Sequence, residues 1–452
     1  MTSLAIDVTE TMIILDEQLK EWAIKAAANH VFVQNEKKIP ASAYFLLGSF
    51  CSDGDIHVAH ASKCPVHSSA LVENPNEKAR ILDDQWMSDN AERVLRILPG
   101  GLHVVGIAWF STKQVYDERK ATIHRTLTRI QKMNNSLTTA GIDSSITDHM
   151  ITVFFDTPGV TPIGTIINVS GREADSNSKI NYQKLEWISV VANASARVVH
   201  NVPTEKNKRS DFYSDFVQAT RNFTKNFFGN DLMLFDGLVR EDNEAIIKDL
   251  KKNKKTSIEA QLFLDPLYNR EPGTTDEISS NTYELIFDIE IRAAVPIRST
   301  IKDAKRAVKQ HLIRNLFSRA ELHYESMEIV EEVGHPPLIV HQMPRPATTV
   351  LHSHPAILLN EFLFEADSIE DAQKNFDDMM DLQTSIEHVD DGWERALSPE
   401  EMDAMRTPIE DLKYFEGEAN DGSCCSTRTL LITIGIIMAI FATIIYFTVA
   451  HS

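Results

Sequence analysis

The chain has 452 residues, and its 65 acidic against 45 basic side chains give a formal net charge of −20. That balance argues against nucleic acid and anionic lipid surfaces as broad partners and for solubility. The 43% hydrophobic content is that of an ordinary globular protein of two or three domains. Four cysteines without a CxxC pair suggest neither a disulfide framework nor a zinc site, and fit a reducing compartment.

The N-terminal run MTSLAIDVTETMIILDEQLKEW lacks a basic segment followed by an apolar one, so no signal peptide is expected. A first region, to about residue 205, carries several strand-like runs. Ala43–Gly48 is apolar, and Ile56–Ala61 returns after the turn-like Ser52-Asp53-Gly54-Asp55, which predicts a hairpin. Ser88 is positioned to cap a helix through Ile97, with Ala91, Val94, Leu95 and Leu98 at helical spacing. Pro99-Gly100-Gly101 then opens a buried strand over Leu102–Phe110. A helix over 115–135 places Ile123, Leu127 and Ile130 on one face, and strands follow at Met150–Phe155, Gly164–Val169 and Trp187–Val199. In the last of these Trp187, Ser189, Val191 and Asn193 share one face, and Ile188, Val190 and Ala192 the other. Sequons stand at Asn134, Asn168, Asn193 and Asn222, and stay unmodified if this bulk is cytosolic.

A second region, to about residue 386, opens with a helix near 210–227 that turns Phe212, Phe216 and Phe223 inward. Strands are predicted at Ser257–Leu264 and Thr282–Val295, the latter alternating as a strand with one wet face. A helix over 302–322 sets Ala304, Val308, Leu312 and Leu316 inward. Its Lys302, Lys305, Arg306, Lys309 and Arg314 read as a solvated face rather than a phosphate site. Strands at Pro337–Gln342 and near Ala356–Phe364 precede a helix that Ser368 and Asp371 start in a capping-box pattern, burying Ile369, Ala372, Phe376 and Met379.

From Glu387 to Asp421 there are twelve acidic and three basic residues, with Pro399, Pro408, Gly417 and Gly422 as helix breakers. The stretch reads as an acidic flexible tether with Trp393 and Tyr414-Phe415 as candidate docking motifs. Residues 430–450 (LLITIGIIMAIFATIIYFTVA) carry no charge. As a helix they reach about 30 Å, the thickness of a bilayer's hydrocarbon. Only His451 and Ser452 follow, so insertion is expected to be post-translational, with the remainder left in the cytosol. Cys424 and Cys425, just outside the span, are candidates for reversible acylation.

A working active site is not apparent. His352-Ser353-His354-Pro355 has the H-x-H-P pattern of zinc isopeptidases of the MPN fold, in which two imidazoles and a carboxylate leave one position for the attacking water. The downstream Ser and Asp of that pattern are replaced by Phe362 and Glu365, and the motif lies far from an MPN-like strand order. A loop pair of histidines is the better reading; a divergent membrane-anchored MPN-type metallo-isopeptidase using His352 and His354 is the alternative. Cys51 has no identifiable partner, and Cys64-Pro65-Val66-His67 is a weak pair. There is no G-x-S-x-G elbow, P-loop or dinucleotide fingerprint.

The run WMSDNAERVLRILPGGLHVVGIAWF at Trp86–Phe110 resembles the odorant response abnormal protein 4 family. Ala43–Gly48, the strand from Trp187, Ile301–Leu316, Ser368–Asp381 and the closing apolar segment support the match in order along nearly the whole chain. The resemblance implies a single-pass endoplasmic-reticulum membrane protein of sensory neurons, active in vesicles or dendrites. It also implies assistance to the folding, maturation and export of G-protein-coupled odorant receptors to cilia. Recruitment of a ubiquitin-fold-modifier-specific cysteine protease comes with it, and the family is not known as an enzyme. The first region also resembles a degenerate MPN domain. In active members the strand VVG-x-x runs into the metal-binding histidines, whereas here Val104-Val105-Gly106 runs into Ile107–Thr112. The expected α/β (α+β) architecture is therefore a catalytically dead MPN-like domain over 1–205 and a second α/β domain over 206–386. An acidic linker over 387–429 and a transmembrane helix over 430–450 complete it, with no catalytic, cofactor or metal residue.

Overall fold

A computed structural model describes residues 11–37, 41–52, 54–65, 82–139, 148–157, 159, 161–203, 212–230, 232–247, 255–264, 280–326 and 342–394. The apolar segment 430–450, the linker beyond 394 with Tyr414-Phe415, Cys424 and Cys425, all but Gln342 of the strand expected at Pro337–Gln342, and His67 lie outside these residues. Among the described residues no helix is long and apolar enough to cross a membrane.

The first sheet is built from β1 (Ile13–Asp16), α1 (Gln18–Lys37), the hairpin β2 (Ala41–Phe50) and β3 (Ile56–Lys63), α2 (Asp84–Ile97), β4 (His103–Ser111) and α3 (Lys113–Thr139). It continues through β5 (His149–Asp156), β6 (Pro162–Asn168), β7 (Ser176–Ser178) and β8 (Ile180–Gln183). The eight strands run in the order β7-β6-β5-β4-β2-β3-β1-β8. Only Lys179 separates β7 from β8, so one extended run pairs with β6 at its start and with β1 at its end. The sheet thus curls until both of its edges are covered, which removes the exposed backbone of an open edge. Gly164 on β6 permits the closure: a Cβ there would stand 2.9 Å from Ile180 and 3.0 Å from Ile13.

Each face of this sheet holds its own core, which is why its central strands are apolar throughout. On one face Tyr44, Leu46, Val58, Val105, Phe110, Ile151 and Phe155 meet Leu19, Ala23, Ala26 and Ala27 of α1. On the other, Phe45, Leu47, Ile107, Trp109 and Phe154 meet α2 through Met87, Ala91, Val94 and Leu95, and α3 through Ile123, Leu127 and Ile130. Helix α2 begins one turn earlier than expected. Asp83, not Ser88, is the cap, its carboxylate accepting the Trp86 amide at 2.7 Å, while Ser88 is buried inside the helix and bonds back to the Asp84 carbonyl.

The second sheet has the order β11-β10-β12-β9-β13. Its elements are β9 (Trp187–Pro203), α4 (Phe212–Gly229), β10 (Met233–Phe235), β11 (Leu238–Val239), β12 (Ser257–Leu262), β13 (Ser280–Pro296) and α5 (Ile301–Ser326). The strand read from sequence as the end of the first region is thus the partner of β13 along its whole length, from Trp187 opposite Pro296 to Pro203 opposite Ser280. The expected face assignment holds: Ile188, Val190 and Ala192 turn into a core with Phe216, Phe223 and Phe227 of α4. Asp236 and Gly237, at φ 51° and 77°, make the tight β10–β11 turn, where a positive φ is required at both central positions.

The chain then returns to the first core. β14 (Arg345–Leu351), β15 (His354–Leu363), α6 (Ile369–Met380), a short 3-10 turn (Ile386–His388) and β16 (Val389–Asp390) form a three-stranded unit in the order β15-β14-β16. Its Leu351, Ile357, Leu359, Phe376 and Met380 join Trp109 and Phe45 in one apolar cluster. Asp371 starts α6 as expected, accepting both the amide and the hydroxyl of Ser368 at 2.9 Å. Ala372, Phe376 and Met380 are buried, whereas Ile369 and Met379 are only partly covered.

Candidate functional site

The H-x-H-P motif forms the tip of the β14–β15 hairpin, where Leu351 pairs with His354 and two residues make the turn. That geometry parts the two imidazoles. His352 is exposed, its ring 5.7 Å from that of His388. His354 is buried, with Nε2 3.6 Å from the Asp16 carboxylate. Phe362 is part of the buried strand. Among the described residues no group of three or more His, Cys, Asp or Glu side chains is arranged to hold a metal ion.

His354 instead belongs to a buried polar joint between the first sheet and the C-terminal unit. Asp16 accepts the amides of Gln18 and Leu185, both at 3.0 Å. His60, on β3, meets the Met380 carbonyl at 2.7 Å through Nε2, and the neighbouring Ser62 hydroxyl donates to the Met379 carbonyl. Burial lowers the pKa of His354, against the pull of Asp16. Burial likewise lowers that of His60, against the Met380 carbonyl and Asp381. His60 thus ties α6 to β3, and His354 sets β15 beside Asp16 of β1.

The thiols fit the same description. Cys64 is buried, and burial pushes its pKa up to about 12, so it stays protonated. Cys51 is buried at the start of the hairpin turn, its amide bonded to the Asp55 carbonyl. The positions after Val104-Val105-Gly106 are filled by packing. Phe110 stacks on Phe155 with centroids 4.5 Å apart, and the Trp109 indole donates to Ser111 at 3.0 Å.

Helix α5 departs from the reading of its basic residues. Arg314 and Lys309 are buried, not solvated. The Arg314 guanidinium donates to the carbonyls of Leu98 at 2.6 Å, Pro99 at 2.8 Å and Leu102 at 2.9 Å. Burial pushes its pKa down to about 9. Lys309 donates to the Phe228 carbonyl, and Lys305 pairs with Asp242. Pro99-Gly100-Gly101, expected only as a strand opener, is the socket for this helix. A Cβ on Gly100 would fall 2.0 Å from the Ala307 carbonyl oxygen, and one on Gly101, at φ +89°, 2.2 Å from that of Ala294. His311 completes it by accepting the Gly100 amide through Nδ1 at 3.2 Å, and burial takes its pKa down to about 3.

Residues 387–394, assigned by sequence to a flexible linker, are held on the body. β16 pairs with β14 through Thr349 opposite Val389 and Thr348 opposite Asp390. Arg345 binds the Asp391 carboxylate at 2.7 Å, Arg292 lies 4.5 Å from the centroid of the Trp393 ring, and Arg319 forks onto both oxygens of Glu394 at 2.9 and 2.6 Å. Of these residues sequence singled out Trp393; the three arginines that hold Asp391, Trp393 and Glu394 come from β14, β13 and α5, which no local pattern brings together.

Taken together these features define a mixed α+β protein whose buried polar residues join its layers. Its lineage is specific: the family model "Odorant response abnormal 4-like" matches residues 44–391, and the chain belongs to that family. It is 67% identical over 447 residues to Odorant response abnormal protein 4 of Caenorhabditis elegans, covering 98% of this chain and 94% of that protein. It is 23% identical over 372 residues to the protein odr-4 homolog of Mus musculus, covering 78% and 80% of the two chains. The Homo sapiens homolog matches at 23% over 373 residues, covering 76% and 79%.

Proposed function

We propose that this protein is a tail-anchored adaptor of the endoplasmic-reticulum membrane that assists odorant receptors to fold and reach the cilia, and that it recruits a ubiquitin-fold-modifier-specific protease to that membrane. The carrying observation is family membership over nearly the whole chain, with a relative named for abnormal odorant response. The uncharged run 430–450 supports the anchor. An adaptor without catalysis is supported by the positions after Val104-Val105-Gly106, where an MPN-type enzyme would carry metal ligands and this chain carries Trp109 and Phe110 at 0% exposure. Cys424 and Cys425 are placed by sequence to add acyl chains beside the anchor.

One natural sequon and one added sequon test the topology. Asn193 is an exposed sequon, whereas the Asn134 side chain is fully buried and donates to the Val104 carbonyl. In cells a sequon-bearing extension added after Ser452 gains a glycan and Asn193 gains none. A glycan on Asn193, or release of the full chain from membranes by alkaline carbonate, contradicts the proposal.

A further inference from the structure

Residues 388–394 lie in their seat by three kinds of contact. The backbone adds as a short third strand to β14, and the Thr349 hydroxyl donates to the His388 carbonyl at 3.0 Å. Charge is read by Arg345 on Asp391 and by the two-pronged Arg319 on Glu394. The aromatic ring between them lies under Arg292, which Glu290 holds at 3.0 Å. Strand addition, bidentate arginine–carboxylate pairs and cation–π contact are the means by which folded domains recognise extended acidic peptides.

The seat is not tailored to its own segment. The Trp393 indole N–H is buried with no acceptor among the described residues, which weakens its hold on the segment. The strand is only two residues long, and the Asp391 and Glu394 side chains keep 38% and 24% exposure, so water competes for both ion pairs. A covalently linked segment fills such a seat because of its high local concentration rather than its fit.

We propose that Arg292, Arg319 and Arg345 form a binding site for acidic–aromatic peptides of the pattern Asp-x-Trp-Glu, and that Asp391–Glu394 is a releasable clasp which occupies it in the absence of a partner. A protein bearing such a segment displaces the clasp, and Asp391–Glu394 leave the three arginines.

The probe is a synthetic fluorescein-labelled peptide of residues 386–394, added to the detergent-solubilised full chain. The variant Trp393→Ala/Glu394→Gln binds it at least tenfold more tightly than the native chain, and adding Arg319→Ala removes the gain. An opened variant with native circular dichroism and melting that binds no better than the native chain overturns the proposal, as does undiminished binding without Arg319. Should that variant fail to fold, the native chain decides. Excess unlabelled peptide accelerates trypsin cleavage after Arg395 if the clasp is displaced, and an unchanged cleavage rate overturns the proposal.

Discussion

The Arg314 guanidinium donates to three main-chain carbonyls of one turn, and it locks α5 to the approach of β4. Replacing it with Met leaves those carbonyls without the donor, and the expected cost is about 3–5 kcal/mol in urea unfolding of the full chain. Arg314→Lys recovers little, because an ammonium cannot reproduce the fork. His311 sets a pH dependence of known sign. Its folded pKa of about 3 lies below its ordinary value of 6.5, so the unfolded chain binds the proton first. The stability it contributes is complete above pH 6.5 and is lost as pH falls from there toward 3. His60, His354 and His103 are lowered by burial in the same direction. Melting temperature measured from pH 7.5 to 5 therefore declines, and His311→Ala shallows the decline while lowering the plateau, since the Gly100 amide loses its acceptor. At this scale the sequence was least legible. A basic residue at helical spacing signals a wet face, and only the tertiary approach of Gly100 and Gly101 to α5 and β13 turns Arg314 inward.

Elements were far easier to read. β4 and β13 announce themselves as an apolar run and an alternating run, because the first is covered on both faces and the second on one. Helix α1 escaped notice because it meets the sheet through Ala23, Ala26 and Ala27, small residues that give a weak apolar stripe at close approach. Overpacking there is correspondingly costly: Ala23→Leu is expected to destabilise by about 1–3 kcal/mol in thermal or urea unfolding. The start of α2 was misplaced because Ser88 and Asp83 both carry capping side chains, and only Asp83 bonds a free amide. Asp83→Ala should cost about 1 kcal/mol through loss of that bond. Capping of Trp86 should survive in Ser88→Ala, whose hydroxyl serves only the Asp84 carbonyl.

For the molecule as a whole, chain order and spatial order part company. Trp187–Pro203 lies in the first half of the chain and serves the second sheet, while β14, β15 and α6 come late and complete the core around Trp109. Composition and periodicity locate strands without saying which neighbour each one takes, so the layered architecture was legible and the assignment of strands to sheets was not. The linker was likewise read from its charge, low hydrophobicity and Pro/Gly breakers, although its first eight residues lie on the body and six of them touch β14, β13 or α5. The proposed adaptor role rests on family membership along nearly the whole chain and on the uncharged apolar run 430–450. The most direct measurement is the distribution of the modifier protease between membrane and soluble fractions of cells carrying either the full chain or a chain ending at Thr429. The adaptor account predicts that the protease sediments with membranes beside the full chain and stays soluble beside the shortened one; a protease that remains soluble in both would contradict it.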